Sequence, residues 1–253
     1  RSDMGGAPAP DEIHRVMGPD EFHTKYPDRE ELGLDNNAYT NVMAAWVLSR
    51  ASDVLDLLPK NHRQKLCESI GLGSEEIERW YDVSRKLRVP FHGDGIISQF
   101  EGYDELEELD WQAYEAKYGD IQRLDRILEA EGDSVNRYKV SKQADVLMLF
   151  YLFSADELHQ QFDWMGYPVA EDLIPRNIDY YLARTSHGST LSRVVHAWVL
   201  ARRDRPGSWR MFRDALDALI HRGEHIALIV DEFGAMAGIV TLEDLIESLL
   251  GTE

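Results

Sequence analysis

The chain has 253 residues, 43% of them hydrophobic and 10% aromatic, which is enough apolar material for one large domain, or for one domain with a small appendage, and which argues against disorder. Its formal net charge of −19, from 46 acidic and 27 basic residues, disfavours nucleic acids and anionic membranes as partners. Cys67 is the single cysteine, which excludes an intrachain disulfide and predicts a reducing, cytoplasmic location.

The ends and the apolar segments give two further expectations. No apolar run reaches the roughly 20 residues of a membrane span, and the first ten residues lack the apolar core of a signal peptide. The sequence starts without Met and reaches a motif almost at once, so we expect upstream sequence to be missing.

Hydrophobic periodicity predicts a succession of helices. The first runs over 37–57, with Asp35 and Asn36 as caps, and the second over 74–87, with Ser74 as its N-cap. A third covers 120–131 and stops at Gly132.

The next segment, 141–153, is apolar nearly all round, which predicts a buried inner helix opened by Lys142 and Gln143. Ser154 begins a capping box for the following helix. Two more helices, 189–201 and 208–220, are predicted on either side of a break at Pro206-Gly207.

The last thirty residues change character. Short β-branched runs at 225–230 and 236–240 flank a turn at 231–234, and Thr241 is a candidate cap for a helix over 242–250. The fold class is therefore mainly α, with a short C-terminal β-turn-β-α unit.

A carboxylic acid stands in a turn near the start, in the run Gly18-Pro19-Asp20-Glu21-Phe22-His23. Glycosyl transfer needs a protonated acid to donate to the leaving oxygen, and an apolar or anionic neighbourhood keeps Glu protonated. Phe22 and Asp20 could supply that neighbourhood for Glu21. Taken alone, the run is better read as an ordinary surface turn.

Four motifs occur in order between about residues 12 and 212. Together they resemble glycoside hydrolase family 65, which contains the maltose, trehalose, kojibiose and nigerose phosphorylases. The motifs are Gly18–His23 with Asn36-Asn37-Ala38-Tyr39-Thr40-Asn41, then Phe91–Tyr103, then Lys139–Val146 with its Lys142-Gln143-Ala144-Asp145, and then Thr185-Ser186-His187-Gly188-Ser189-Thr190-Leu191-Ser192. The resemblance implies that Glu21 is the general acid.

The fourth motif makes chemical sense as a phosphate site. Gly188 allows close backbone approach, and Ser189 stands at the start of an apolar helix, where free N–H groups and the helix dipole favour anions. Ser186 and His187 add hydrogen-bond donors. An ordinary helix cap explains the same residues, but the resemblance favours phosphate binding.

Lys142 and Gln143 have a similar pair of interpretations. The resemblance implies that they contact the glucosyl unit next to the scissile bond, whereas the residues alone also allow a lysine that extends from a helix end to solvent. Asp145 is a candidate brace for Lys142 or His187. Trp46 and Trp198 fall in apolar helices and are predicted to be core residues.

The implied reaction is inverting phosphorolysis of an α-glucoside disaccharide to β-glucose 1-phosphate and a sugar. Inorganic phosphate is the co-substrate, and no cofactor is expected. No metal is expected either, because the nine His show no close metal-ligand spacing. A family 65 hydrolase, which is one alternative, would need a second carboxylate about 6.5–9.5 Å from the acid to activate water.

The resemblance also implies that the chain is incomplete as a barrel. Residues 1–220 correspond to about half of an (α/α)6 barrel, and the apolar face so exposed predicts pairing with a second copy or with the missing half. Residues 221–253 resemble half of a CBS module, with Thr241 and Asp244 as candidate adenosine-nucleotide ligands. A non-catalytic regulatory or scaffold protein is therefore the second alternative, and the identity of the disaccharide is left open.

Overall fold

The computed structural model describes residues 10–187, 190–222, 226–230 and 236–241. Helices dominate these residues, and two short antiparallel strand pairs accompany them. The helices are α1 (Ala38–Leu57), α2 (Lys60–Ile70), α3 (Ser74–Lys86), α4 (Trp111–Tyr118), α5 (Leu124–Ala130), α6 (Asp145–Leu152), α7 (Ala155–Trp164), α8 (Leu173–Leu182), α9 (Thr190–Leu200) and α10 (Arg205–Arg222). The strands are β1 (Phe91–His92), β2 (Ile96–Ile97), β3 (Ile226–Val230) and β4 (Met236–Thr241).

Helix α1 confirms the first predicted helix but is capped by a different residue. Asn37, rather than Asp35 or Asn36, is the N-cap, and its side-chain oxygen accepts a hydrogen bond from the amide of Thr40 at 3.0 Å. Similarly, α3 begins at Ser74 with Gly73 as its N-cap. Helix α5 is shorter than predicted and starts at Leu124 instead of at residue 120.

The inner helix α6 lies at the centre of the molecule. It packs against α1, α7, α8 and α9, and Val146, Leu147, Leu149 and Phe150 are all 0% exposed. The prediction of a buried inner helix is confirmed. The prediction that Lys142 and Gln143 open it was wrong, because α6 starts at Asp145 with Ala144 as N-cap.

The chain just before α6 is hydrogen-bonded to a distant segment. Ser141 forms a parallel bridge with Thr185, and its amide donates to the carbonyl of Arg184 at 2.9 Å. The backbone of this segment is thus satisfied by a distant part of the chain before helical geometry can start.

The predicted capping box at the start of α7 is confirmed. The amide of Glu157 donates to Ser154 Oγ at 3.2 Å, and Glu157 Oε2 accepts from the amide of Ser154 at 2.9 Å. Two free amides of the first turn are thereby satisfied.

Helices α9 and α10 differ from the predicted pair at their junction. Pro206 and Gly207 lie inside the first turn of α10 rather than in a break before it. A proline is tolerated there because the first helical amides have no intrahelical acceptor. Trp198 on α9 is 60% exposed, so its assignment to the core was wrong, whereas Trp46 is partly buried and packs edge-on against Phe153.

Strands β3 and β4 confirm the predicted C-terminal hairpin. They pair antiparallel, from Ile226 opposite Thr241 to Val230 opposite Met236. The turn predicted over 231–234 and the helix predicted over 242–250 lie outside the described residues.

The periodicity analysis missed α2 and α4. Neither helix buries a residue, so neither carries the apolar stripe on which such a prediction depends. The architecture is nevertheless mainly α and corresponds to part of a helical barrel, as predicted. Within the described ranges, no helix is both long enough and apolar enough to cross a membrane.

Candidate active site

Glu21 lies at the protein surface. Its side chain is 71% exposed, and its Oε2 accepts a hydrogen bond from the Lys142 ammonium at 2.6 Å. The expected shielding by Phe22 and Asp20 is absent. Phe22 packs into a separate core cluster with Leu109, Leu124, Leu128 and Val140, and the Asp20 side chain is buried.

Besides the bond from Lys142 to Glu21, three hydrogen bonds join the acid loop, Gly18 to Phe22, to the segment Lys142 to Asp145. The amide of Asp20 donates to Asp145 Oδ1 at 2.6 Å, and the amide of Lys142 donates to Asp20 Oδ1 at 3.1 Å. Gln143 Nε2 donates to the carbonyl of Pro19 at 3.3 Å. The proposed acid and the proposed sugar-binding pair are therefore held as one unit.

Only glycine fits at position 18, because the backbone of the acid loop lies so close to the side chain of Asp145. A Cβ at this position would overlap the carboxylate of Asp145 and lie 2.7 Å from Asn37 Nδ2. Any side chain would push the acid loop away from the start of α6.

Asp20 and Asp145 form a buried carboxyl pair beneath Glu21. Burial, together with the nearby Asp145 carboxyl, raises the pKa of Asp20 well above its usual value, and burial raises the pKa of Asp145 to about 6. These effects outweigh the hydrogen bonds that Asp20 accepts from the amides of Lys142 and Phe22. Asp20 Oδ2 is buried without a hydrogen bond of ordinary geometry, so little at this oxygen compensates for the lost hydration that raises the pKa.

Two amide side chains complete this cluster. Asn37 Nδ2 donates to Asp145 Oδ2 at 2.6 Å, so the cap of α1 also holds the start of α6. Gln99 Oε1 accepts from the amide of Asp145 at 2.6 Å, and the carbonyl of Gln99 accepts from the amide of Ala38 at 2.9 Å. Asp145 was expected to brace Lys142 or His187. Its carboxylate instead accepts hydrogen bonds from the amide of Asp20 and from Asn37 Nδ2.

The predicted phosphate loop begins with Thr185, Ser186 and His187. The amide of Ser186 donates to the carbonyl of Ser141 at 2.9 Å, and the hydroxyls of Ser141 and Thr185 are 2.9 Å apart. Ser186 Oγ is buried, and no described residue bonds it. Gly188 and Ser189 lie outside the described residues, and α9 follows from Thr190.

His187 adopts a left-handed backbone conformation, with φ of 51°. Such a φ is uncommon for a residue with a side chain and marks strain that the surroundings must compensate. Burial, with a smaller effect of Arg193, lowers the pKa of His187 to about 4. His187 also lines an open cleft of about 990 Å³ between α8, α9 and α10.

Lys142 joins the two predicted parts of the site. Its ammonium faces Glu21, and its carbonyl accepts a hydrogen bond from Ser192 Oγ on α9 at 3.0 Å. A single residue thus contacts both the proposed acid and the helix that begins at the proposed phosphate loop.

The predicted nucleotide ligands fall at the end of β4 and beyond it. Thr241 is the last residue of β4, and Asp244 lies outside the described residues. Among the described side chains, no group of three His, Cys, Asp or Glu is arranged to hold a metal ion.

Comparison with known proteins identifies the family. The model of the glycosyl hydrolase family 65 central catalytic domain matches residues 9–239. The chain belongs to glycosyl hydrolase family 65. An uncharacterized glycosyl hydrolase of Mycobacterium tuberculosis (strain H37Rv) is 57% identical over 238 residues, which are 91% of this chain and 17% of that protein.

Two further relatives of family 65 are phosphorylases. The trehalose 6-phosphate phosphorylase of Lactococcus lactis is 41% identical over 74% of this chain and 23% of that enzyme. The kojibiose phosphorylase of Halothermothrix orenii is 33% identical over 74% of this chain and 21% of that enzyme. The chain therefore spans only 17% to 23% of the length of these relatives.

A solved structure supports the barrel assignment. A kojibiose phosphorylase candidate from the human microbiome superimposes with a TM-score of 0.61 at 22% identity, over 83% of this chain and 27% of that one. This likeness establishes the fold, as part of a larger helical barrel.

The sequence did not predict Asn37, Gln99 and Ser192 as parts of the site, and it predicted a different role for Asp20, as an anionic neighbour of Glu21. All four lie inside the motifs that carry the family resemblance. Only their contacts, which join distant parts of the chain, show what each one does.

Proposed function

We propose that this chain forms the acid and phosphate side of an inverting α-glucoside phosphorylase site. The observation that carries the proposal is the position of Lys142, with its ammonium on Glu21 and its carbonyl on α9. The family membership and the phosphorylases among the relatives support it.

In this proposal Glu21 protonates the glycosidic oxygen while phosphate attacks the anomeric carbon from the opposite face. The bond from that carbon to the leaving sugar breaks as the bond to phosphate forms, and β-glucose 1-phosphate results. Phosphate is already an anion, so no second carboxylate is needed to activate it. The hydrolytic alternative would need such a base.

Phosphate would bind at the start of α9. Ser186, His187, Gly188 and Ser189 are the proposed ligands, and the N-terminus of an 11-residue helix attracts oxyanions. The buried hydroxyl of Ser186, which no described residue bonds, is an independent sign of a ligand there.

Lys142 and Gln143 would contact the glucosyl unit. In the structure the ammonium of Lys142 donates a hydrogen bond to Glu21 Oε2, so the proposed sugar-binding lysine and the proposed acid are bound to each other. Substrate hydroxyls would therefore have to displace Lys142 from Glu21 before Glu21 can act as an acid. The substrate is an α-linked disaccharide, and the named relatives make trehalose 6-phosphate and kojibiose the first to test.

Replacing the acid tests the proposal. Glu21→Gln in the full chain should lower phosphate-dependent release of glucose 1-phosphate from an α-linked disaccharide by at least about 10²-fold, since general acid catalysis contributes about that much or more. Glu105→Gln, at an exposed glutamate, is the matched control and should be neutral. Full activity of Glu21→Gln would remove the acid assignment, and sugar release without phosphate would favour a hydrolase.

The CBS-like interpretation of residues 221–253 stays a prediction. The hairpin of β3 and β4 is present, but the family 65 match already extends to residue 239. If the chain is instead a regulatory or scaffold protein, AMP or ATP should bind through Thr241 and Asp244, and no turnover should be found. The cytoplasmic location and the pairing with a second copy or a missing half-barrel also stay predictions.

A further inference from the structure

His196, which belongs to α9, lies directly behind His187. It is 0% exposed, and its Nδ1 is 3.2 Å from Nδ1 of His187 and 3.3 Å from Ser192 Oγ. The two imidazole rings meet edge to face, with centroids 5.1 Å apart. His196 belongs to none of the site roles assigned above.

Both rings are neutral at ordinary pH. Burial, with a smaller effect of His187, lowers the pKa of His196 to about 3, and the pKa of His187 is lowered to about 4. A neutral imidazole carries one N–H, on either Nδ1 or Nε2. The position of that proton decides which nitrogen can donate a hydrogen bond.

The hydrogen bonds around Ser192 assign the two protons. The carbonyl of Lys142 can only accept, so the Ser192 hydroxyl donates its proton there. Ser192 Oγ then presents lone pairs to His196, and Nδ1 of His196 must carry the proton. A proton on Nε2 of His196 would instead be a buried donor without a hydrogen-bond partner, which is the costlier arrangement. With the N–H of His196 on Nδ1, Nδ1 of His187 accepts from it at 3.2 Å, and the single proton of His187 lies on Nε2.

We infer that His196 is a positioning residue that holds His187 in the Nε2–H form, the form that donates a hydrogen bond to an oxyanion at the start of α9. The oxyanion in this inference rests on the proposed function. The contact with His196 uses Nδ1 of His187, which leaves Nε2 as the ring nitrogen that donates to the oxyanion. The left-handed backbone of His187 marks a strained position of the kind that clusters at ligand sites.

The tautomers can be measured directly. Long-range ¹H–¹⁵N NMR of the full chain should show the proton on Nε2 of His187 and on Nδ1 of His196. A His187 protonated on Nδ1, or one that samples both forms equally, would overturn the inference.

Two substitutions of His196 distinguish the effect of its N–H donor from the effect of its ring volume. His196→Asn keeps an N–H donor near the position of Nδ1, and His196→Phe keeps a ring without one. His196→Phe should release the tautomer preference of His187, weaken phosphate binding about tenfold and raise the KM for phosphate with kcat and the KM for disaccharide little changed. His196→Asn should restore the Nε2–H form and most of the phosphate affinity.

The controls keep the inference separate from the proposed function. If His196→Phe fails to fold, Ser192→Ala, which removes the acceptor of His196, should shift the same NMR signals. An unchanged His187 tautomer in a folded His196→Phe protein contradicts the positioning role. Wild-type protein with the expected tautomers but no phosphate binding contradicts the phosphate site, and leaves control of the His187 proton by His196 supported.

Discussion

Asp20 is next to the proposed acid in sequence, but its carboxyl group faces the interior. Its Oδ1 accepts hydrogen bonds from the amides of Phe22 and Lys142, and the carboxyl group lies close to that of Asp145. The residue is therefore part of the scaffold of the acid loop, and Glu21 alone of this pair reaches the surface.

Asp20→Asn should preserve the fold and change the pH dependence of stability. The folded pKa of both carboxyls is raised, so their contribution to stability is fully present below the unfolded value of about 4 and is lost as pH rises through the folded values. Asn at position 20 mimics the neutral form and keeps an oxygen for the two amides. From pH 4 to pH 7 the variant should gain stability relative to wild type, on the order of 1 kcal/mol or more.

Urea unfolding at several pH values measures this difference. Asp28→Asn, on an exposed loop, is the control and should follow the wild-type profile. Parallel profiles for wild type and Asp20→Asn would show that Asp20 is ionised in the folded protein.

At the scale of elements, local sequence signals predicted the start of a helix only where no hydrogen bond from a distant residue competed for the same backbone amides. Ser154 and Glu157 are three residues apart, and their capping box formed as predicted. Helix α6 starts only at Asp145, because the amide of Lys142 is bonded by Asp20 and that of Asp145 by Gln99.

Ser154→Ala should destabilise the protein by about 1 kcal/mol, the usual effect of losing an N-cap. Ser69→Ala, at an exposed serine within α2, provides the comparison and should change stability by less than about 0.5 kcal/mol. Thermal or urea unfolding gives both values. Equal effects of the two substitutions would argue that the box contributes nothing.

For the whole molecule, α6 is the element on which the others converge. It packs against four other helices, and Phe150 is among the largest fully buried side chains. By contrast, Tyr151 and Leu152 on the same helix, Val54 and Leu57 on α1, and Trp198 on α9 are exposed, as expected for part of a larger barrel.

Phe150→Ala should lower the free energy of unfolding by about 3–5 kcal/mol, because it removes buried area and leaves a cavity. Tyr151→Ala, one position along and 42% exposed, should cost at most about 1 kcal/mol. Urea denaturation distinguishes the two. A small effect at Phe150 would mean that α6 is not the centre of the packed core.

The sequence by itself determined the helical class and the capping box of α7, because both depend on residues close together in the chain. Glu21 was proposed as the acid because four motifs in order resemble family 65. Only the tertiary structure decided that Asp20 turns inward onto Asp145, 125 positions away, that Lys142 joins the acid loop to α9, and that His196 lies behind His187. These contacts form only when distant segments pack together. They form because a polar group that is buried without a hydrogen-bond partner raises the free energy of the folded state.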